Sequence, residues 1–184
     1  MQYKKTKIPD LMVIEPSLFA DERGYFLESF NLEKFENQIG QIKFIQDNES
    51  KSSRGVLRGL HFQNPPFNQA KLVRCIVGRV MDVAVDIRKG SPTYGKHLAI
   101  ELSGENKRQL FIPRGFAHGF SVLSDSAIFA YKVDNKYAPE SDSGIKYDDK
   151  KLNIDWGLTK EEVILSEKDN NLPFFKDFHS PFKF

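Results

Sequence analysis

Gly78-Arg79-Val80-Met81-Asp82-Val83-Ala84-Val85-Asp86-Ile87-Arg88 is the stretch that decides the fold. Side chains along a strand point alternately to its two faces. Met81, Val83, Val85 and Ile87 therefore share one face, opposite Asp82, Asp86 and Arg88. Gly78-Arg79 separates this run from the one before it, and Gly-X is the composition of a tight II′ hairpin. Downstream, Leu98, Ile100 and Leu102 form a further face, closed by Ser103-Gly104-Glu105-Asn106. Leu110 and Ile112 follow, then a turn at Pro113-Arg114-Gly115. Phe116, His118, Phe120 and Val122 fall on one face of the next strand, and Ser124-Asp125 turns the chain into Ala127, Phe129, Tyr131 and Val133. Short alternating runs with turn residues about every ten positions predict a mainly β protein, an antiparallel jelly-roll barrel with a few short helices. Such a barrel encloses a cavity lined by alternate residues, which places His118 and Tyr131 in one interior with Phe116, Phe120 and Phe129.

Helical signals are few. Asn31 can cap a short amphipathic helix through Ile39 that stops at Gly40, and Thr159-Lys160-Glu161-Glu162 has the spacing of a capping box that could open another. At 184 residues and 21.2 kDa the chain suits one domain over residues 1–184, with an N-terminal strand and helix region and a C-terminal helical tail. Sixteen phenylalanines suggest a ring-lined interior or a stacking site. A dispersed net charge of +2 argues against nucleic acid as a partner. The single Cys75 rules out an internal disulfide and fits a reducing compartment. Met1 to Asp10 lacks the apolar run of a signal peptide, and no stretch approaches membrane-spanning length. The expectation is a soluble cytoplasmic protein without a membrane partner.

The chemistry concentrates in Gly55-Val56-Leu57-Arg58-Gly59-Leu60-His61-Phe62-Gln63 and Lys71-Leu72-Val73-Arg74. An imidazole among β-forming residues, flanked by permanent cations, is a candidate proton carrier for an anionic ligand: the cations hold phosphate while the imidazole titrates near neutral pH. A histidine hydrogen-bonded into a sheet for structural reasons fits the same residues equally well. Imidazole and phenol together supply a base and an acid for moving a proton on and off carbon, although Tyr131 alone reads more readily as a packing residue. Lys71 is a solvated edge charge unless it faces inward, where an ammonium can neutralise a developing enolate. Arg23, Arg58 and Arg114 are surface forks unless several meet a diphosphate together. Jelly-roll proteins of the cupin type hold metal through a His-x-His pair, a carboxylate and a later histidine. Here Phe62 and Gln63 follow His61, and His61 and His118 without a spaced carboxylate make a poor transition-metal site, so neither a metal nor another cofactor is expected.

The chain resembles the dTDP-4-dehydrorhamnose 3,5-epimerase family. The matching segments are Asp21 to Asn31, Gln46-Asp47-Asn48, Gly55 to Gln63, Lys71 to Val77, Ile112-Pro113 with Gly115 to Phe120, Tyr131-Lys132, Tyr137 with Pro139-Glu140, and Leu165 to Asp169. They run in family order from about residue 2 to 175, and Arg-Gly-Leu-His followed ten residues later by Lys-Leu-Val-Arg is the most specific of them. The resemblance implies a cupin-like jelly roll, a homodimer with strand exchange at its interface, a dTDP-sugar substrate and no metal. It implies His61 as catalytic base with Asp169 as its carboxylate, Tyr131 as general acid, and Lys71 near the C4 oxygen. Arg23, Glu28, Gln46, Asn48, Arg58, His118, Asp142 and Lys168 fall at substrate-contact positions, and Tyr137 corresponds to the aromatic that stacks on thymine. Asp169, Tyr137 and Asp142 read as ordinary loop or helix-end residues without that comparison. Rival expectations are a single-carbon epimerase on a related nucleotide sugar, a metal-dependent cupin enzyme and a non-catalytic nucleotide-sugar binder.

Overall fold

Most consecutive strands of this chain lie in different sheets. The computed structural model covers Met1–Phe184 and contains β1 (Gln2–Lys5), β2 (Met12–Glu15), β3 (Leu18–Asp21), β4 (Gly24–Leu27), β5 (Gln46–Ser53), β6 (Leu57–Gln63), β7 (Lys71–Val77), β8 (Arg79–Asp86), β9 (His97–Ser103), β10 (Gln109–Ile112), β11 (Phe116–Val122), β12 (Ser126–Val133) and β13 (Asp142–Gly144), with helices α1 (Leu32–Gln38) and α2 (Glu167–Asn170). One sheet has the order β1-β2-β10-β7-β12-β5, the facing one β13-β6-β11-β8-β9, and β3-β4 stand apart as a two-stranded hairpin. Every pairing within them is antiparallel. From β5 onward only β8 and β9 are neighbours both in sequence and in a sheet. This is a jelly-roll barrel, as the alternation predicts.

The expected hairpin at Gly78-Arg79 is corrected by this topology. Gly78 carries the chain from β7 in one sheet to β8 in the other. Its φ of +79° and a site where a Cβ would lie 2.1 Å from the Ser126 carbonyl oxygen explain the glycine. The turns after β10 and β11 are likewise crossings between sheets.

Between the sheets, Val73, Cys75, Leu110, Ile112 and Phe129 meet Val80, Ala84, Leu102, Phe116 and Phe120 in the barrel core. The apolar stripe of β8 faces the other way: Val83, Val85 and Ile87 pack with Leu57, Leu60, Phe62, Trp156, Phe175 and Phe182 under the C-terminal segment. The face bearing Asp82 is thus on the lumen side, and Asp82 and Asp86 are both fully buried. Asp86 is matched by Arg88 at 2.9 Å, which also reaches Asp10 at 2.8 Å. A third cluster of Met12, Ile14, Phe35, Ala70, Leu72 and Phe111 seats α1 on the outer face of the six-stranded sheet. The buried phenylalanines are thus shared among three separate cores, with Phe116, Phe120 and Phe129 lining the barrel interior.

Asn31 caps α1, its side chain accepting from Lys34 N at 3.1 Å, and the chain leaves through Gly40 at φ +121°. The second expected helix does not form. Thr159 and Glu162 complete a single turn, Glu162 Oε2 accepting from Thr159 N at 2.9 Å. The next residues are then drawn out straight, because Ile164 exchanges backbone hydrogen bonds with Gly55 and Leu57 beside Val56. The helix near the C-terminus is instead α2, capped by Ser166.

Candidate active site

His61 and Arg58 share a lumen wall because β6 is bulged. In a regular strand, residues three apart face opposite ways. Pairing of β6 with β11 shifts between His118↔His61 and Phe120↔Arg58, so that Gly59 and Leu60 together oppose Gly119. Both glycines are required there: a Cβ on Gly59 would lie 2.5 Å from Gly119 Cα, and one on Gly119 would lie 2.7 Å from the Arg58 carbonyl oxygen.

A cavity of about 140 Å³ opens on this wall, lined by Glu49, Ser50, Arg58, His61, Lys71, His118, Phe120, Phe129 and Tyr131. His61 and His118 come from the five-stranded sheet, Lys71 and Tyr131 from the six-stranded one. The imidazole and the phenol therefore approach one space from facing walls.

His61 Nε2 is 2.5 Å from Asp169 Oδ1, and Asp169 is buried. A carboxylate only accepts, so Nε2 carries a proton, and in the neutral form of the ring Nδ1 keeps the free lone pair. Asp169 is held by the Ser166 cap, whose Oγ accepts from Asp169 N at 3.1 Å. Burial alone would raise the Asp169 pKa, but the hydrogen bond and charge of His61, with the backbone of Gly59, bring it below the ordinary carboxylate value. Burial lowers the Lys71 ammonium to about 8, against the attraction of Asp142 and Asp82. Burial raises the Tyr131 phenol despite the nearby Arg58, so it stays protonated at neutral pH. His118 is pushed down by burial, partly offset by Asp82, to which its Nε2 donates at 2.9 Å.

Beyond the cavity lining, Asp142 on β13 accepts from Tyr137 Oη at 3.1 Å and pairs with Lys168, while Tyr137 stays largely exposed. Arg58 donates from Nε and a terminal nitrogen to Ser52 Oγ, each at 3.2 Å. Asn48 is the register partner of Tyr131 and accepts from Gln46 Nε2 at 2.8 Å. Two residues stay outside this group. Glu28 pairs with Lys34 at 2.7 Å below α1, and Arg23 sits at the tip of the β3–β4 hairpin with only Asp21 as partner. Arg114 turns away to Asp134 at 2.9 Å. Sequence reasoning missed Asp82, Glu49, Ser50 and Ser52. Asp82 had a usable signal: it lies on the lumen side of a strand whose apolar stripe faces outward.

A carboxylate-backed imidazole facing a protonated phenol across a jelly-roll lumen defines an enzyme that moves protons by acid–base chemistry. Comparison with known proteins gives that class a family. The family model described as dTDP-4-dehydrorhamnose 3,5-epimerase matches residues 5–177. The dTDP-4-dehydrorhamnose 3,5-epimerase of Shigella flexneri is 56% identical over 178 residues, covering 96% of this chain and 97% of its own. The crystal structure of the Elizabethkingia anophelis enzyme of that name superposes with a TM-score of 0.92 at 56% identity, covering 96% of this chain and 97% of its own. That of the Legionella pneumophila dTDP-6-deoxy-D-glucose-3,5-epimerase, in complex with dTDP-4-keto-L-rhamnose, gives 0.93 at 50% identity over 97% and 94%. The chain belongs to the dTDP-4-dehydrorhamnose 3,5-epimerase family.

Proposed function

We propose that residues 1–184 act as one domain that epimerises C3 and C5 of dTDP-4-keto-6-deoxy-D-glucose, giving dTDP-4-dehydro-L-rhamnose through enolate intermediates. The observation that carries this is the cavity shared by His61, Lys71 and Tyr131, with base and acid on facing sheets. The C4 ketone acidifies the hydrogens on both neighbouring carbons, and removing either leaves an enolate with its charge largely on O4. His61, oriented by Asp169, takes the proton through Nδ1. Lys71 stabilises O4 as charge develops, an effect of about 3–4 kcal/mol in a water-poor site. Tyr131 then delivers a proton to the opposite face, which is what inversion requires. Positioned acids and bases of this kind give about 10²–10⁴-fold each.

A cavity near 140 Å³ is well below the roughly 300–1,000 Å³ of most ligand pockets, so it takes the sugar end only. Arg58, His118, Gln46 and Asn48 hold the sugar and diphosphate, while Tyr137 stacks on thymine with Asp142 and Lys168 beside it. Arg23 and Glu28 serve the site of a second copy in a homodimer, a role supported by the projecting hairpin that carries Arg23. The buried free thiol of Cys75 fits work in the cytoplasm.

The test is incubation with dTDP-4-keto-6-deoxy-D-glucose in D₂O, reading deuterium and configuration at C3 and C5 by NMR. Deuterium and inversion at both carbons are expected, and inversion at one alone would make the chain a single-carbon epimerase. His61→Ala should abolish deuterium entry at both positions; retained incorporation would remove it from the base role. Tyr131→Phe should allow exchange while suppressing inversion.

A further inference from the structure

Asp82 has the only buried side-chain oxygen in the protein without a hydrogen-bond partner. Its carboxyl is fully enclosed on β8, Oδ2 receives the Nε2–H of His118, and Oδ1 has no donor. Leaving a buried carboxylate oxygen unmatched is unfavourable, and such groups in native proteins call for an explanation. Lys71 has the complementary property. Its ammonium lies in the neighbouring cavity and is engaged in no ion pair or side-chain hydrogen bond. The groups facing it are Glu49 from β5, Arg58 and His61 from β6, and His118 from β11, with Tyr131 beside it on β12. The two carboxylates whose field acts on Lys71 are Asp142 and Asp82. Asp142 is already bound by Lys168 and Tyr137 through one oxygen, whereas Asp82 keeps its Oδ1 without any donor.

We propose that Asp82 is a positioning residue for the epimerisation: fixed behind the cavity wall, it orients His118 and supplies the countercharge for the Lys71 ammonium. Accepting from Nε2 fixes the His118 tautomer with its Nδ1 lone pair free. Its negative charge opposes the desolvation that drives Lys71 toward neutrality. This rests on Lys71 serving O4, since only a charged ammonium stabilises an enolate effectively.

Asp82→Asn separates the two contributions, because asparagine keeps the volume and an oxygen acceptor for His118 but loses the charge. In the full-length variant, the Lys71 titration followed by ¹³Cε-lysine NMR should move down by about one unit from its midpoint near 8. The alkaline limb of kcat/KM should move with it, with KM at pH 7 nearly unchanged. Asp82→Glu, which retains the charge, should restore the limb. An unmoved Lys71 titration in Asp82→Asn would overturn the proposal. So would loss of a cooperative melt in both variants, which would make Asp82 a residue of folding alone. The wild-type deuterium experiment tests the epimerase reading separately.

Discussion

Lys71 is a residue whose chemistry opposes the stability of its own fold. An unfolded lysine titrates near 10.4, whereas burial brings this one to about 8. Between those values the unfolded chain binds the extra proton, so stability rises with pH across that window and is lowest below it. Lys71→Met, of similar length and without charge, is expected to raise the unfolding free energy by about 1–3 kcal/mol at pH 7 while lowering kcat by about 10²–10³-fold. Urea melts at pH 7 and 10 check this, and a variant less stable than the parent at pH 7 would contradict it. Asp169 behaves in the opposite sense. Its depressed pKa makes its contribution present above about pH 4, the unfolded value, and lost as acid protonates the native carboxyl. Asp169→Asn should flatten that acid limb of stability. It should also cost about 10²–10⁴-fold in kcat, because an imidazolium formed at His61 loses its anionic partner. An undiminished kcat would detach Asp169 from the chemistry.

At the level of elements, sequence reading succeeded where a face has one period and failed where a bulge or a crossing intervenes. The set Phe116, His118, Phe120 and Val122 was legible because β11 pairs with β8 in unbroken register over its whole length. The co-facing of Arg58 and His61 was not, since alternation separates residues three apart and only the Gly59–Gly119 approach brings them together. Gly78 was misread for a related reason: a glycine turn between two apolar runs looks the same whether it pairs strands or passes them between sheets. Asp169 was visible only through family resemblance, because a four-residue helix has no periodicity to read. The bulge gives a direct test. Gly119→Ala has no unfavourable φ to blame; its Cβ would meet the Arg58 carbonyl oxygen at 2.7 Å, Gly59 Cα at 3.0 Å and the Trp156 ring at 3.2 Å. It should cost about 1–3 kcal/mol by thermal melting and lower kcat/KM as Arg58 is displaced. Wild-type values for both would mean the bulge is not needed to build the wall.

At the scale of the whole molecule, the β3–β4 hairpin is out of keeping with a lone chain. Leu18, Phe19, Tyr25 and Phe26 are 49%, 65%, 58% and 69% exposed on four-residue strands that join neither sheet. An isolated two-stranded hairpin is marginal in water, and a contiguous apolar patch of this kind marks a binding surface. A second copy is the occupant that also accounts for Arg23, which sits at the hairpin tip away from its own cavity, and for a cavity too small for the nucleotide. In the proposed homodimer, taken as two-fold, each copy would lend its arm to the other. Phe19→Asp with Phe26→Asp should then yield a monomer by light scattering, with KM raised more than kcat is lowered. Mixing decides whether the arm works across copies. Arg23→Ala spoils only the lent arm, and His61→Ala only the receiving cavity. A mixed dimer of the two keeps one intact site, formed by the cavity of the first and the arm of the second. Random re-association places about half the dimers in that mixed state, each with one good site of two, so about a quarter of wild-type activity should return on mixing. If activity stays at the average of the separate variants, Arg23 acts within its own chain and the exchange of arms is excluded.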